Sequence, residues 1–79
     1  MDVSTRIYIL RAKLLAAREK AMITPEDHRL VALIDYSLNI LQVVQFTLAN
    51  EGGIFREDFK FLRGMESWLR EYFHNVDNQ

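Results

Sequence analysis

The sequence predicts an all-α protein with three helices, and two observations support this. Apolar residues recur every three or four positions in three separate stretches of the 79-residue chain, which is the spacing of one helix face. No stretch alternates apolar and polar residues as a half-buried strand does. We therefore expect a single domain over residues 1–79, with helices at about 3–22, 25–49 and 55–74.

The first helix is predicted from its apolar face and its ends. Its apolar positions alternate in steps of three and four: Ile7, Leu10, Leu14, Ala17 and Ala21. Asp2 or Ser4 can accept hydrogen bonds from the first free backbone N–H groups, and the basic last turns suit the negative end of the helix dipole. Residues 1–23 hold five basic and two acidic side chains, a net charge of +3, so this helix is basic.

The second helix is predicted to be long and central. Thr24 suits the N-cap, Pro25 suits the first helical position, and nothing breaks the pattern before Asn50-Glu51-Gly52-Gly53. Residues 24–51 hold one basic and four acidic side chains, a net charge of −3. Apolar side chains cover most of its circumference, so neighbours must cover it on several sides. We expect it to lie at the centre of an antiparallel three-helix arrangement that dimerises, because one copy cannot cover it.

The third helix follows the glycine pair. Its apolar residues again step by threes and fours: Phe55, Phe59, Leu62, Met65, Leu69, Tyr72 and Phe73. No good N-cap residue marks its start, and Gly64 inside it is typical of close helix packing. The polar residues after His74 are expected to lie outside the helix.

No arrangement of residues points to catalysis or to a cofactor. The two histidines, His28 and His74, fall on different helices and have no neighbouring ligand at metal-site spacing. The chain has no Cys, and its serines are far in sequence from any His that could activate them. Gly52-Gly53 lacks the spacing of a phosphate-binding loop. We expect no enzyme activity, no metal and no cofactor.

The sequence favours a cytoplasmic protein without a membrane span. The N-terminus lacks the basic start and apolar stretch of a signal peptide. The longest charge-free run, residues 36–50, is shorter than the ~20 residues that a membrane span needs.

The basic edges of the first helix and the aromatic residues of the third are the candidate binding surfaces. Arg11 and Arg18 flank the apolar face and can form a solvated edge, pair with an acidic surface of this chain or of another protein, or contact nucleic-acid phosphates. Nucleic acid is the least favoured, since the net charge is −1 and no recognition helix follows a tight turn. The candidate partner or dimer interface comprises Arg11, Arg18, Leu38, Leu41, Val44, Phe59, Trp68 and Tyr72.

Two families share parts of this pattern. The segment from Pro25-Glu26-Asp27-His28-Arg29 to Ile34-Asp35-Tyr36-Ser37-Leu38 resembles part of the small helical antiactivators that sequester quorum-sensing transcription regulators. The order of long helix, proline-led turn and second long helix is similar to that of the small co-chaperones of type III secretion needle subunits. Both resemblances imply a protein that binds a partner and masks its hydrophobic surface.

We therefore expect a small non-enzymatic regulator that binds another protein through helical hydrophobic surfaces, as an inhibitor, antiactivator or adaptor. One alternative is a small secretion-type chaperone that masks a client's hydrophobic surface. The other is a DNA-binding regulatory factor that uses the basic first helix.

Overall fold

The computed structural model describes residues 1–78, with only the backbone described at Pro25, and its described part consists of helices and short connections. Helix α1 spans Val3–Ile23, α2 spans His28–Glu51 and α3 spans Arg56–Asp77. A turn of 3₁₀ helix, Pro25–Asp27, joins α1 to α2. The prediction of an all-α fold with three helices is confirmed. Gln79, the last residue of the expected domain, lies outside the described residues.

Helix α1 begins where its sequence supplies a cap. Of the two candidate caps, Asp2 is the one used: its Oδ1 atom accepts a hydrogen bond of 2.7 Å from the backbone N–H of Thr5. This bond stabilises the ionised carboxylate and lowers the pKa of Asp2 below its ordinary value.

Helix α2 starts slightly later than predicted and ends at a glycine. The Thr24-Pro25 signal starts the 3₁₀ turn rather than the α-helix, and the Thr24 side chain makes no capping hydrogen bond. The α-helical pattern begins at His28 and ends at Gly52, whose φ of 74° is the left-handed conformation that glycine adopts without a steric penalty.

Helix α3 has a cap that the sequence analysis did not recognise. The carboxylate of Asp58 accepts a 3.0 Å hydrogen bond from the backbone N–H of Phe55. The N–H of Asp58 in turn donates to the carbonyl oxygen of Phe55 at 3.0 Å. Asp58, three positions after the cap, therefore makes the side-chain hydrogen bond at the start of the helix that the Phe55 side chain cannot make. At its other end α3 continues through Asn75 to Asp77, past the predicted end at His74.

The central helix is α1, and not α2 as predicted. The backbone of α1 comes close to those of both α2 and α3, whereas among the described residues α2 and α3 have no comparable backbone approach. Helix α1 also supplies half of the buried core. That core is wholly apolar, and it consists of Ile7, Leu10, Leu14, Ala17, Ala21, Ile34, Leu41, Val44, Leu62 and Leu69.

Side-chain size explains why α1 takes the central place. Ala17 and Ala21 are fully buried in its second half, and such small side chains let neighbouring backbones approach closely. Helix α2 is richer in large apolar residues, but it buries only Ile34, Leu41 and Val44 on one side. Total hydrophobicity predicted α2 as the central helix, whereas α1 is the helix whose buried residues recur at regular steps of three and four.

Gly64 does not mark a close helix contact as predicted. It is exposed, and a Cβ atom added there would have no neighbour within 4 Å. The residues of α3 that are buried are instead Leu62 and Leu69.

Candidate interaction surfaces

Helix α2 carries a row of large apolar side chains that face solvent. We call Leu33, Tyr36, Val43 and Phe46 the outer face of α2; their exposed fractions lie between 52 and 69%. Single exposed apolar residues are ordinary on protein surfaces, but several on one helix are typical of an interaction site. This surface is the most distinctive candidate site in the chain.

The outer face of α2 is not the part of the helix that the sequence analysis selected. Leu41 and Val44, predicted as interface residues, are 0 and 1% exposed and pack in the core of the chain itself. Leu38 is half-buried against that core. The accessible side of α2 is therefore the other one. The periodicity of the sequence shows which residues share a face and not which face is covered.

The two predicted basic interface residues bind within the chain. Arg18 donates to both carboxylate oxygens of Asp35, with its Nε atom 2.6 Å from Oδ1 and its Nη2 atom 3.3 Å from Oδ2. Arg11 donates through Nη2 to the side-chain oxygen of Gln45. The hydrogen bonds from Arg18 lower the pKa of Asp35. Of the three readings of this basic edge, pairing with an acidic residue of this chain is therefore observed at Arg18.

The predicted aromatic residues of α3 lie at the margin of the core. Trp68 stacks on Tyr72, with ring centroids 5.3 Å apart and planes 10° apart, and Phe59 is half-buried. Burial raises the pKa of Tyr72, and the nearby Asp27 carboxylate adds to this. Beside Trp68 a small apolar groove of about 130 Å³ lies between α2 and α3. Trp68 and Tyr72 therefore pack against the core and also line surface grooves.

A second groove, between α1 and α3, was not expected from the sequence. We call it the basic groove; it encloses about 610 Å³ and is lined by Arg6, Ile9, Lys13, Glu66, Arg70 and Phe73, among others. Arg6 donates to Glu66 across it, with Nη2 2.8 Å from Oε1. Within each helix these residues are three or four positions apart, but no sequence spacing connects the three from α1 with the three from α3.

Charge in the basic groove is predominantly positive. Hydrogen bonds from Arg6 lower the pKa of Glu66, and the nearby Arg70 and Lys13 lower it further. Three cations thus surround one carboxylate, with Ile9 and Phe73 as apolar lining. This arrangement suits a negatively charged group attached to an apolar body.

The described residues contain no group of three or more His, Asp or Glu side chains that could hold a metal ion. His28 and His74 are both exposed, and they lie on α2 and α3 respectively.

Helix α2 is also long and apolar enough to cross a membrane, by length and composition alone. Its 24 residues contain a window of mean hydropathy 1.4 in which 22% of residues are buried. The expectation of no membrane span rested on the charge-free run 36–50, whereas this longer window contains at least one charged residue. Core helices of soluble proteins meet the same criterion.

Comparisons of the chain with protein-family models, with curated proteins and with solved structures find no match.

Proposed function

We propose that this chain is a small non-enzymatic regulator, an inhibitor, antiactivator or adaptor, which binds another protein in the cytoplasm and forms a homodimer. The outer face of α2 is the observation that carries the proposal. Four large apolar side chains of this one helix remain accessible after the chain has filled its own core.

Covering the outer face of α2 supplies part of the free energy that association needs. Covering a large apolar side chain contributes about 1.5–3 kcal/mol when burial is complete. The four residues of the outer face are all more than half exposed, so covering them contributes several kcal/mol. That gain offsets part of the cost of bringing two molecules together, about 4–15 kcal/mol, and the rest comes from surrounding contacts.

We infer that α1 and α2 run antiparallel within each chain. The contacts between them support this: Arg11 meets Gln45, and Arg18, farther along α1, meets Asp35, nearer the start of α2.

We further propose that the partner protein presents an acidic, partly apolar surface to the basic groove. Lys13 and Arg70 are exposed and add positive charge around the Arg6–Glu66 pair. Charges at the rim of a contact mainly accelerate encounter, so binding should weaken as salt is added. Lys13→Glu with Arg70→Glu should abolish capture of that partner.

The decisive experiment for self-association compares two double variants by light scattering at micromolar concentration. Wild-type protein is expected at twice the chain mass of 9.3 kDa. Tyr36→Lys with Val43→Lys should give a folded monomer, because Lys is a good helix former and both positions are exposed. Ala12→Lys with Ala16→Lys is the matched control; it adds the same charge at exposed sites of α1 and should remain dimeric. A stably folded wild-type monomer would contradict the homodimer.

A secretion-type chaperone remains the second candidate, because a client helix could cover the same outer face of α2. The two functions differ in what the isolated chain does: a chaperone of this kind should be monomeric or poorly folded alone and should become well ordered with its client. DNA binding has less support, since Arg6, Arg11 and Arg18 already bind side chains of this chain. A salt-sensitive shift of DNA on a gel would favour it.

A further inference from the structure

Two charged residues of α2 occupy unusual places. Arg29 lies in the first turn of the helix, just after the acidic Glu26 and Asp27 of the 3₁₀ turn, and Glu51 is its last residue. The first turn of α2 itself therefore has no acidic side chain and the last turn no basic one. Each charge sits at the end of α2 where the helix dipole disfavours it. Both side chains are exposed, and neither belongs to an ion pair within the described part of the chain.

Between these charges runs an uncharged row of residues. It steps alternately by three and four positions along α2, and we call it the α2 seam: Leu33, Tyr36, Ile40, Val43 and Thr47. Leu33, Tyr36 and Val43 are more than half exposed, whereas Ile40 and Thr47 are half-buried and Ile40 also touches the core of its own chain. This spacing places the row on one side of a helix and is the repeat by which two helices pack along their length. The other charged residue of α2, Asp35, lies off the seam and is bound to Arg18.

Arg29 and Glu51 lie on the same side of α2 as the seam and at equal distances from its middle residue, Ile40. At 100° per residue, Arg29 and Glu51 project toward the same side of α2 as the seam. Each lies eleven positions from Ile40, one before it and one after it. The two charges are therefore about 33 Å apart along the axis, with Ile40 midway.

Resting on the homodimer proposed above, we infer that the occupant of this surface is a second copy of the chain, with the two α2 helices antiparallel about an axis near Ile40. Each Arg29 then lies beside Glu51 of the partner subunit, so both ends are paired with opposite charges. Each charge also meets the end of the neighbouring helix whose dipole favours it. A parallel pair would instead place like charges together at both ends, which opposes association.

The test uses two single variants, each of which reverses the charge at one end of the seam. Arg29→Glu leaves a chain with Glu at both ends of the seam, and Glu51→Arg leaves a chain with Arg at both ends. Each variant alone should dimerise roughly tenfold more weakly than wild type at low salt, because two attractive pairs become repulsive. An equimolar mixture should recover wild-type affinity and form mainly heterodimers, measured by native mass spectrometry. The double variant Arg29→Glu/Glu51→Arg should behave as wild type.

Loss of folding cannot imitate this result. Arg29→Glu puts an acid in the first turn and Glu51→Arg puts a base at the helix end, and both changes favour α2 itself. Melting followed by circular dichroism should therefore show monomers at least as stable as wild type. Suppose that wild type is dimeric but the mixture contains homodimers and heterodimers in statistical proportion, or that the single variants dimerise as tightly as wild type. Either result would overturn the antiparallel pairing, while the proposed homodimer would still hold. A wild type that stays monomeric would overturn both.

Discussion

Replacement of Leu14 by Ala tests the conclusion that α1 is the centre of the fold. Leu14 is 0% exposed and lies midway along the buried row of α1. The change removes three carbon groups, about 2.4 kcal/mol at 0.8 kcal/mol each, and the cavity left behind raises the loss to about 3–4 kcal/mol. A domain of this length has a total stability of roughly 4–12 kcal/mol, so the loss is a large part of it.

The assay is thermal unfolding followed by circular dichroism at one fixed protein concentration, since the proposed self-association would make Tm depend on concentration. A loss of 3–4 kcal/mol should lower Tm by about 12–30 °C. Leu15→Ala is the matched control: it is the same chemical change one position along, at a residue that is 48% exposed. The control should cost less than half as much. Equal losses at Leu14 and Leu15 would refute the assignment of the buried face of α1.

Two further predictions follow from the backbone and from the ion pairs. Gly52→Ala should lower Tm, because φ is 74° there and a residue with a Cβ atom costs about 1 kcal/mol of stability in that conformation. Gly64→Ala should instead raise Tm, because Ala favours the helix by ~1 kcal/mol and its Cβ atom would meet nothing within 4 Å. The pKa of Glu66 is lowered by Arg6, so the stability from this pair is complete above the ordinary pKa of 4.5 and is lost as pH falls through the lowered value. In melts between about pH 6 and pH 2, Glu66→Gln should therefore lose less Tm on acidification than wild type or the exposed control Glu19→Gln, and equal losses would contradict the pair's role.

Local signals in the sequence predicted the elements well. The spacing of apolar residues placed all three helices within about three residues of their observed ends, as is usual for such patterns. The cap at Asp2 and the glycine end of α2 were also recognisable, because they depend on neighbours in the chain. The cap at Asp58 was equally local and was missed only because Phe55 itself offers no side-chain acceptor.

The arrangement of the helices was less predictable from the sequence. Hydrophobicity does not distinguish an apolar face that packs inside one chain from an apolar face that is exposed to solvent. For this reason α2 was predicted to be central, and Leu41 and Val44, which are buried in the core, were assigned to an interface. The basic groove could not be predicted either, because Arg6, Lys13 and Arg70 meet only after α1 and α3 pack together. In each case the missing information concerns residues far apart in sequence.

The connections between the helices bear on the order in which the protein forms. Residues 24–27 join α1 to α2, so these two helices meet after closing a loop of only four residues, whereas α3 packs on α1 only after the chain has run the length of α2. Loops this short cost little chain entropy, and helical proteins dominated by local contacts fold within microseconds to milliseconds. Pairing of two chains is a second-order process and slows as the protein is diluted. A newly synthesised chain should therefore complete its own core long before it meets another copy, and during that interval α2 remains open to whichever binding partner arrives first.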